Sequence, residues 1–67
     1  MHTTRRYCNE DLVNAYTMPM ASSDDLAMQL SRNDGVTHIR DEGDWSLVET
    51  DSGARVWVKS DTLSWTI

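Results

Sequence analysis

From Asn33 to the C-terminus, short β-rich runs alternate with turn clusters. The turns are Asn33-Asp34-Gly35, Asp41-Glu42-Gly43-Asp44 and Asp51-Ser52-Gly53. Gly tolerates the positive φ that tight turns require, and Asp and Asn side chains bond back to nearby backbone amides. Between the turns lie Val36 to Arg40, Trp45 to Thr50 and Ala54 to Lys59, rich in the β-branched and aromatic residues that suit a pleated strand. In the last run Val56 and Val58 alternate with Arg55, Trp57 and Lys59. Period two puts the valines on one face and Trp57 with its two cations on the other. Ser60-Asp61-Thr62-Leu63 has the length of one 3-10 turn, and Ser64-Trp65-Thr66-Ile67 alternates again as a strand that can close the sheet. Turns this regular around strands this short predict a small barrel or sandwich.

The N-terminal part is less regular. Residues 1–6 are polar and read as a loose end. Leu12 to Met20 is apolar but contains the only proline, Pro19, so it reads as an irregular or edge segment. Residues 21–25 form a loop by composition. Leu26-Ala27-Met28-Gln29-Leu30 fits two patterns. Ser23 can cap a short helix with Asp24 and Asp25 in its first turn and Leu26 and Leu30 one turn apart. Equally, Leu26, Met28 and Leu30 alternate as one face of a strand.

A chain of 67 residues makes one small domain, 1–67. Phe is absent, so the large apolar side chains are Trp45, Trp57, Trp65, Tyr7 and Tyr16, and a small core can rest on the tryptophans. The net charge is −5, with only 6 Lys and Arg, which argues against nucleic acid and anionic membrane surfaces as partners. The single cysteine, Cys8, cannot form an internal disulfide and reads as a small half-buried apolar residue. No apolar run approaches a membrane span, and no apolar segment follows Arg5-Arg6 as a secretory signal would require. The expected location is the cytoplasm, or the cell envelope if the chain is a mature or excised domain. There is no EF-hand spacing, no Gly-rich phosphate loop and no Ser-His-Asp or Cys-His spacing, so no metal, cofactor or catalytic activity is expected. His38 falls on an inward position, where a neutral, hydrogen-bonded imidazole is expected.

The run Gly43-Asp44-Trp45-Ser46-Leu47-Val48, then Asp51-Ser52-Gly53, Val56-Trp57-Val58 and Asp61-Thr62-Leu63, resembles the bacterial SH3 domain in residue type and spacing. The resemblance extends from Leu26 to Leu63. It implies an all-β, SH3-like barrel of five to six short antiparallel strands, with Leu26 to Leu30 as a strand. Three positions depart from the family pattern. Val56 stands where the family has a glycine, Asn33 stands at a turn glycine, and the arginine of the family's first conserved segment has no match in Tyr16-Thr17-Met18-Pro19.

These features point to a non-catalytic binding module for a protein or peptide: an adaptor, an inhibitor or a small subunit. The resemblance also implies an alternative, a module that targets a larger protein to cell wall or glycan. The expected ligand surface is a half-exposed Trp57 with Arg55 and Lys59 beside it and Tyr16 as the apolar neighbour. Trp45 is expected in the core. Trp65 is expected to seal the barrel or to sit in an interface, and the apolar C-terminal strand leaves an edge for self-association. The loop from Tyr16 to Met20 is expected to be a flap over the barrel end.

Overall fold

The three turns form where their residues predict. Asn33, Gly43 and Gly53 adopt positive φ, at 70°, 58° and 91°. The structure, a computed structural model, describes residues 4–66. It contains one sheet of seven antiparallel strands, and no α-helix occurs among the described residues. The strands are β1 (Arg5–Cys8), β2 (Leu12–Tyr16), β3 (Leu26–Ser31), β4 (Gly35–Glu42), β5 (Trp45–Thr50), β6 (Arg55–Lys59) and β7 (Leu63–Ser64). Their order across the sheet is β3-β2-β6-β5-β4-β1-β7. Single 3-10 turns lie at Ser23–Asp25 and Ser60–Thr62.

The all-β class stands, with corrections in the chain's N-terminal half and at its end. The strands number seven rather than five or six, and the 3-10 turns two rather than one. Arg5 and Arg6, expected in a loose end, pair with Thr37 and Val36 of β4; residues 1–3 lie outside the described residues. The sheet is not closed into a ring, since β3 and β7 are its outermost strands. The closing strand expected at 64–67 reduces to Leu63–Ser64, which pairs with β1 alone; Ile67 lies outside the described residues.

The ambiguous stretch becomes β3, as expected. Leu30 lies opposite Val13 and Met28 opposite Ala15, so a period-two face meets the buried residues of β2. The helical signal survives only as the 3-10 turn Ser23–Asp25, where no side chain caps the first turn. Without that cap, and with a hydrophobic strand partner available, tertiary pairing overrides local propensity. The segment Leu12 to Met20 is also corrected. Its first half is an internal strand, β2, paired with β3 on one side and, through Tyr16, with Trp57 of β6 on the other. Pro19 sits in the loop beyond, where it blocks no ladder position.

The central cluster is aliphatic, and of the three tryptophans only Trp57 is buried. Val13, Ala15, Leu30, Val36, Val48, Val56, Val58 and Cys8 form it, with Met28, Ala54 and Leu63 packed against them. Five valines fill it because compact β-branched side chains suit the narrow space inside so small a curved sheet. Asn33 ties the β3–β4 turn to β1, its N–H donating to the Cys8 carbonyl at 2.8 Å.

Candidate functional site

The valines of β5 and β6 face the core, so alternation turns Trp45, Leu47 and Glu49 of β5 and Lys59, Trp57 and Arg55 of β6 to the opposite face. There Trp45 lies directly opposite Lys59, Leu47 opposite Trp57 and Glu49 opposite Arg55. Across β6, Tyr16 of β2 lies opposite Trp57.

Trp57 does share a face with Arg55 and Lys59, but it is not half-exposed. It retains only 8% of its surface. Strand β6 is central, so Leu47 flanks the ring on one side and Tyr16 on the other, and the Arg40 guanidinium lies 5.2 Å from its centroid. Arg55 is exposed on that face and paired across the strands. Its Nε donates to Glu49 Oε1 at 3.1 Å, across the strand pair. Trp57 is therefore a foundation of this face rather than its contact surface.

The aromatic surface lies one step along the sheet. Tyr16 and Trp45 meet edge to face, with centroids 5.6 Å apart and planes at 85°. Both are half-buried. The Lys59 ammonium lies over the Trp45 ring, 5.4 Å from its centroid. Between them opens a cleft of about 200 Å³, whose wall includes Leu12, Asn14, Ala21 and Thr62. Leu12 is 57% exposed, and Met18 and Met20 project from the adjoining loop. The bend that sets Tyr16 comes from a bulge: Ala15 pairs with Met28 and Tyr16 with Leu26, leaving Ala27 unmatched. Lys59 also borders a second hollow, of about 350 Å³, with Gly43, Asp44, Ser60 and Asp61.

A different cleft of about 200 Å³ lies on the far side of the sheet, lined by Arg6, His38, Asp41, Ser46, Ser60, Leu63 and Trp65. Trp65 does not seal the fold. It is 65% exposed, with the Arg6 guanidinium 3.5 Å from its centroid. A polar chain runs along the floor. Ser46 Oγ donates to Asp41 Oδ1 at 2.6 Å, Ser60 Oγ donates to Ser46 Oγ at 2.7 Å, and His38 Nε2 lies 2.8 Å from the same Asp41 oxygen. The Ser46 hydroxyl and then His38 hold the Asp41 carboxyl below the usual carboxylate range. The carboxylate sits between serine and histidine, so the imidazole has no serine proton to take, and the chain fixes side chains rather than activating a nucleophile. Cys8 is more deeply buried than expected, at 1% exposure, and burial followed by the Asp34 charge pushes its thiol pKa up, away from reactivity. Among the described residues no group of three or more His, Cys, Asp and Glu is placed to hold a metal ion. No helix among them is long and apolar enough to cross a membrane.

Of the four residues expected at the ligand surface, Tyr16 and Lys59 meet at one cleft, Trp57 is buried opposite Tyr16 in the neighbouring strand, and Arg55 does not line the cleft. Trp45, expected in the core, is the member that sequence reasoning missed. The available signal was its position as the first residue of a strand directly after a Gly-containing turn, where one ring face stays at the sheet's end. Neither a protein-family model, nor a curated protein, nor a solved structure matches the chain.

Proposed function

We propose that this chain is a non-catalytic module that binds a protein or peptide, and that the Tyr16–Trp45 cleft is its ligand surface. The observation that carries the reading is the half-buried edge-to-face aromatic pair beside exposed Leu12, with buried Trp57 packed in the strand next to Tyr16. Rigid aromatic side chains held by a packed layer offer contact area at low entropic cost, the common character of interface hot spots. The resemblance of Gly43 to Leu63 to the bacterial SH3 domain, a family of small binding modules, supports the same class of function. An adaptor, an inhibitor or a small subunit fits it equally.

Peptides selected from a random display library on the wild-type protein provide the test. Tyr16→Ala should weaken the selected peptides by more than about 1 kcal/mol, roughly a factor of five or more. Trp65→Ala should leave them unchanged. A folded Tyr16→Ala variant that binds as well as wild type removes the cleft from the reading. The glycan or cell-wall alternative is favoured by one observation, the exposed Trp65 beside His38, Asp41 and Ser60. An indole face ringed by hydrogen-bonding groups suits a sugar ring, and in that case Trp65→Ala alone abolishes retention on purified cell wall.

A further inference from the structure

The chain carries 11 acidic residues against 6 Lys and Arg, and the surplus is unevenly placed. Four arginines are matched on the surface: Arg5 with Asp51, Arg32 with Asp11, Arg40 with Glu42 and Arg55 with Glu49. Among the described residues six acids enter no ion pair: Asp24, Asp25, Asp34 and a further three, Glu10, Asp44 and Asp61. The last three border the Tyr16–Trp45 cleft or the hollow on the other side of Lys59. Asp24 and Asp25 add to the same side, since the Asp25 carbonyl accepts the Thr17 amide at 2.8 Å, next to Tyr16. Among the described residues Lys59 is the only cation lining either hollow, and it already lies over Trp45, so the ring accepts a cation in the free protein.

Apolar floor and acidic border together define an occupant. We propose that the cleft takes a cationic peptide segment, with an apolar or aromatic side chain on Tyr16 and Trp45 and Lys or Arg residues facing Glu10, Asp44 and Asp61. The inference rests on the cleft being the ligand surface. Charge of this kind steers encounter and rejects acidic partners more than it adds bulk affinity, and its reach is about 10 Å at 0.1 M salt. Lys59 opposes the incoming cations and must move from the ring as a partner's guanidinium or ammonium takes its place.

The test uses the full chain and three capped peptides that share one Trp-Leu centre, flanked by Lys and Arg, by Ser, or by Glu. Binding is followed by amide shifts of Tyr16, Trp45 and Thr62. The basic peptide should bind, the neutral one about tenfold more weakly, and the acidic one not at all; added salt should weaken the basic one. The triple variant Glu10→Gln, Asp44→Asn, Asp61→Asn should weaken the basic peptide about tenfold with its circular dichroism unchanged, because no hydrogen bond among the described residues engages those carboxylates. Lys59→Gln should tighten it several-fold. If the neutral or acidic peptide binds as tightly at the same amides, or the triple variant binds the basic peptide normally, the charge inference is overturned and the cleft stands. If no peptide shifts those amides, the inference and the cleft reading fall together.

Discussion

Replacing Trp57 with alanine should remove a third or more of this domain's stability. The indole is 8% exposed and lies between Leu47 and Tyr16 on the central strand β6. A buried Trp removes about 200 Å² from water, which at about 25 cal/mol/Å² is about 5 kcal/mol. Residual burial in the unfolded chain lowers that to about 3–4 kcal/mol, within the range for large aromatic truncations. A domain of 67 residues has about 3–10 kcal/mol of total stability, so the loss is a third or more of it. At about 4–8 °C per kcal/mol, the midpoint should fall by about 15–30 °C, read by far-ultraviolet circular dichroism during heating. Trp65→Ala is the internal control. That ring is 65% exposed, and its contact with Arg6 contributes no more than about 1 kcal/mol. A Trp57→Ala protein that melts within a few degrees of wild type would refute the placement of this ring beneath Tyr16.

Asn33 holds φ at 70°, where alanine is strained, so Asn33→Ala should cost about 1 kcal/mol in urea unfolding and Asn33→Gly less; equal stability of the alanine variant and wild type would contradict the turn geometry. Asp41 has a folded-state pKa below its unfolded one, so its stabilisation is present above about pH 4, the unfolded value, and is lost as pH falls through the folded pKa. Asp41→Asn should therefore flatten the acid limb of stability against pH; an unchanged acid slope would show that the Ser46 and His38 contacts do not hold the carboxylate. Cys8 is buried and its thiol pKa raised, so Ellman's reagent near neutral pH should label it only as fast as the domain opens, and faster in urea; labelling at the rate of a free thiol in the native protein would place Cys8 on the surface.

What was legible in the sequence is what individual residues dictate. Gly43, Gly53 and Asn33 mark turns because glycine, lacking a Cβ, and asparagine tolerate positive φ, and the strand Trp45–Thr50 between two of them appears with the expected bounds. The inward valines 48, 56 and 58 followed from period two. What was not legible depends on which strands become neighbours. Alternation placed Trp57 opposite the valines and therefore suggested solvent, but β2 and β5 flank it there, and only the sheet order reveals that. The same gap hid the cleft. Tyr16 lies opposite Trp57, the neighbour expected for it, but Tyr16 and Trp45 lie in strands distant along the chain, and no local pattern brings those two rings together. Arg55 lies on the expected face beside Trp57, but its ion pair with Glu49 was not legible, because cross-strand register is invisible to a single-strand reading.

The most direct measurement is a map of backbone amide shifts on the folded chain while a peptide selected on the wild-type protein is added to saturation. The account predicts shifts concentrated at Leu12, Tyr16, Ala21, Trp45, Lys59 and Thr62, which together wall one cleft, with Arg6, His38 and Trp65 unmoved. Shifts confined to Arg6, His38, Ser60 and Trp65, with the Tyr16 and Trp45 amides stationary at saturation, would contradict it and move the ligand surface to the opposite side of the sheet.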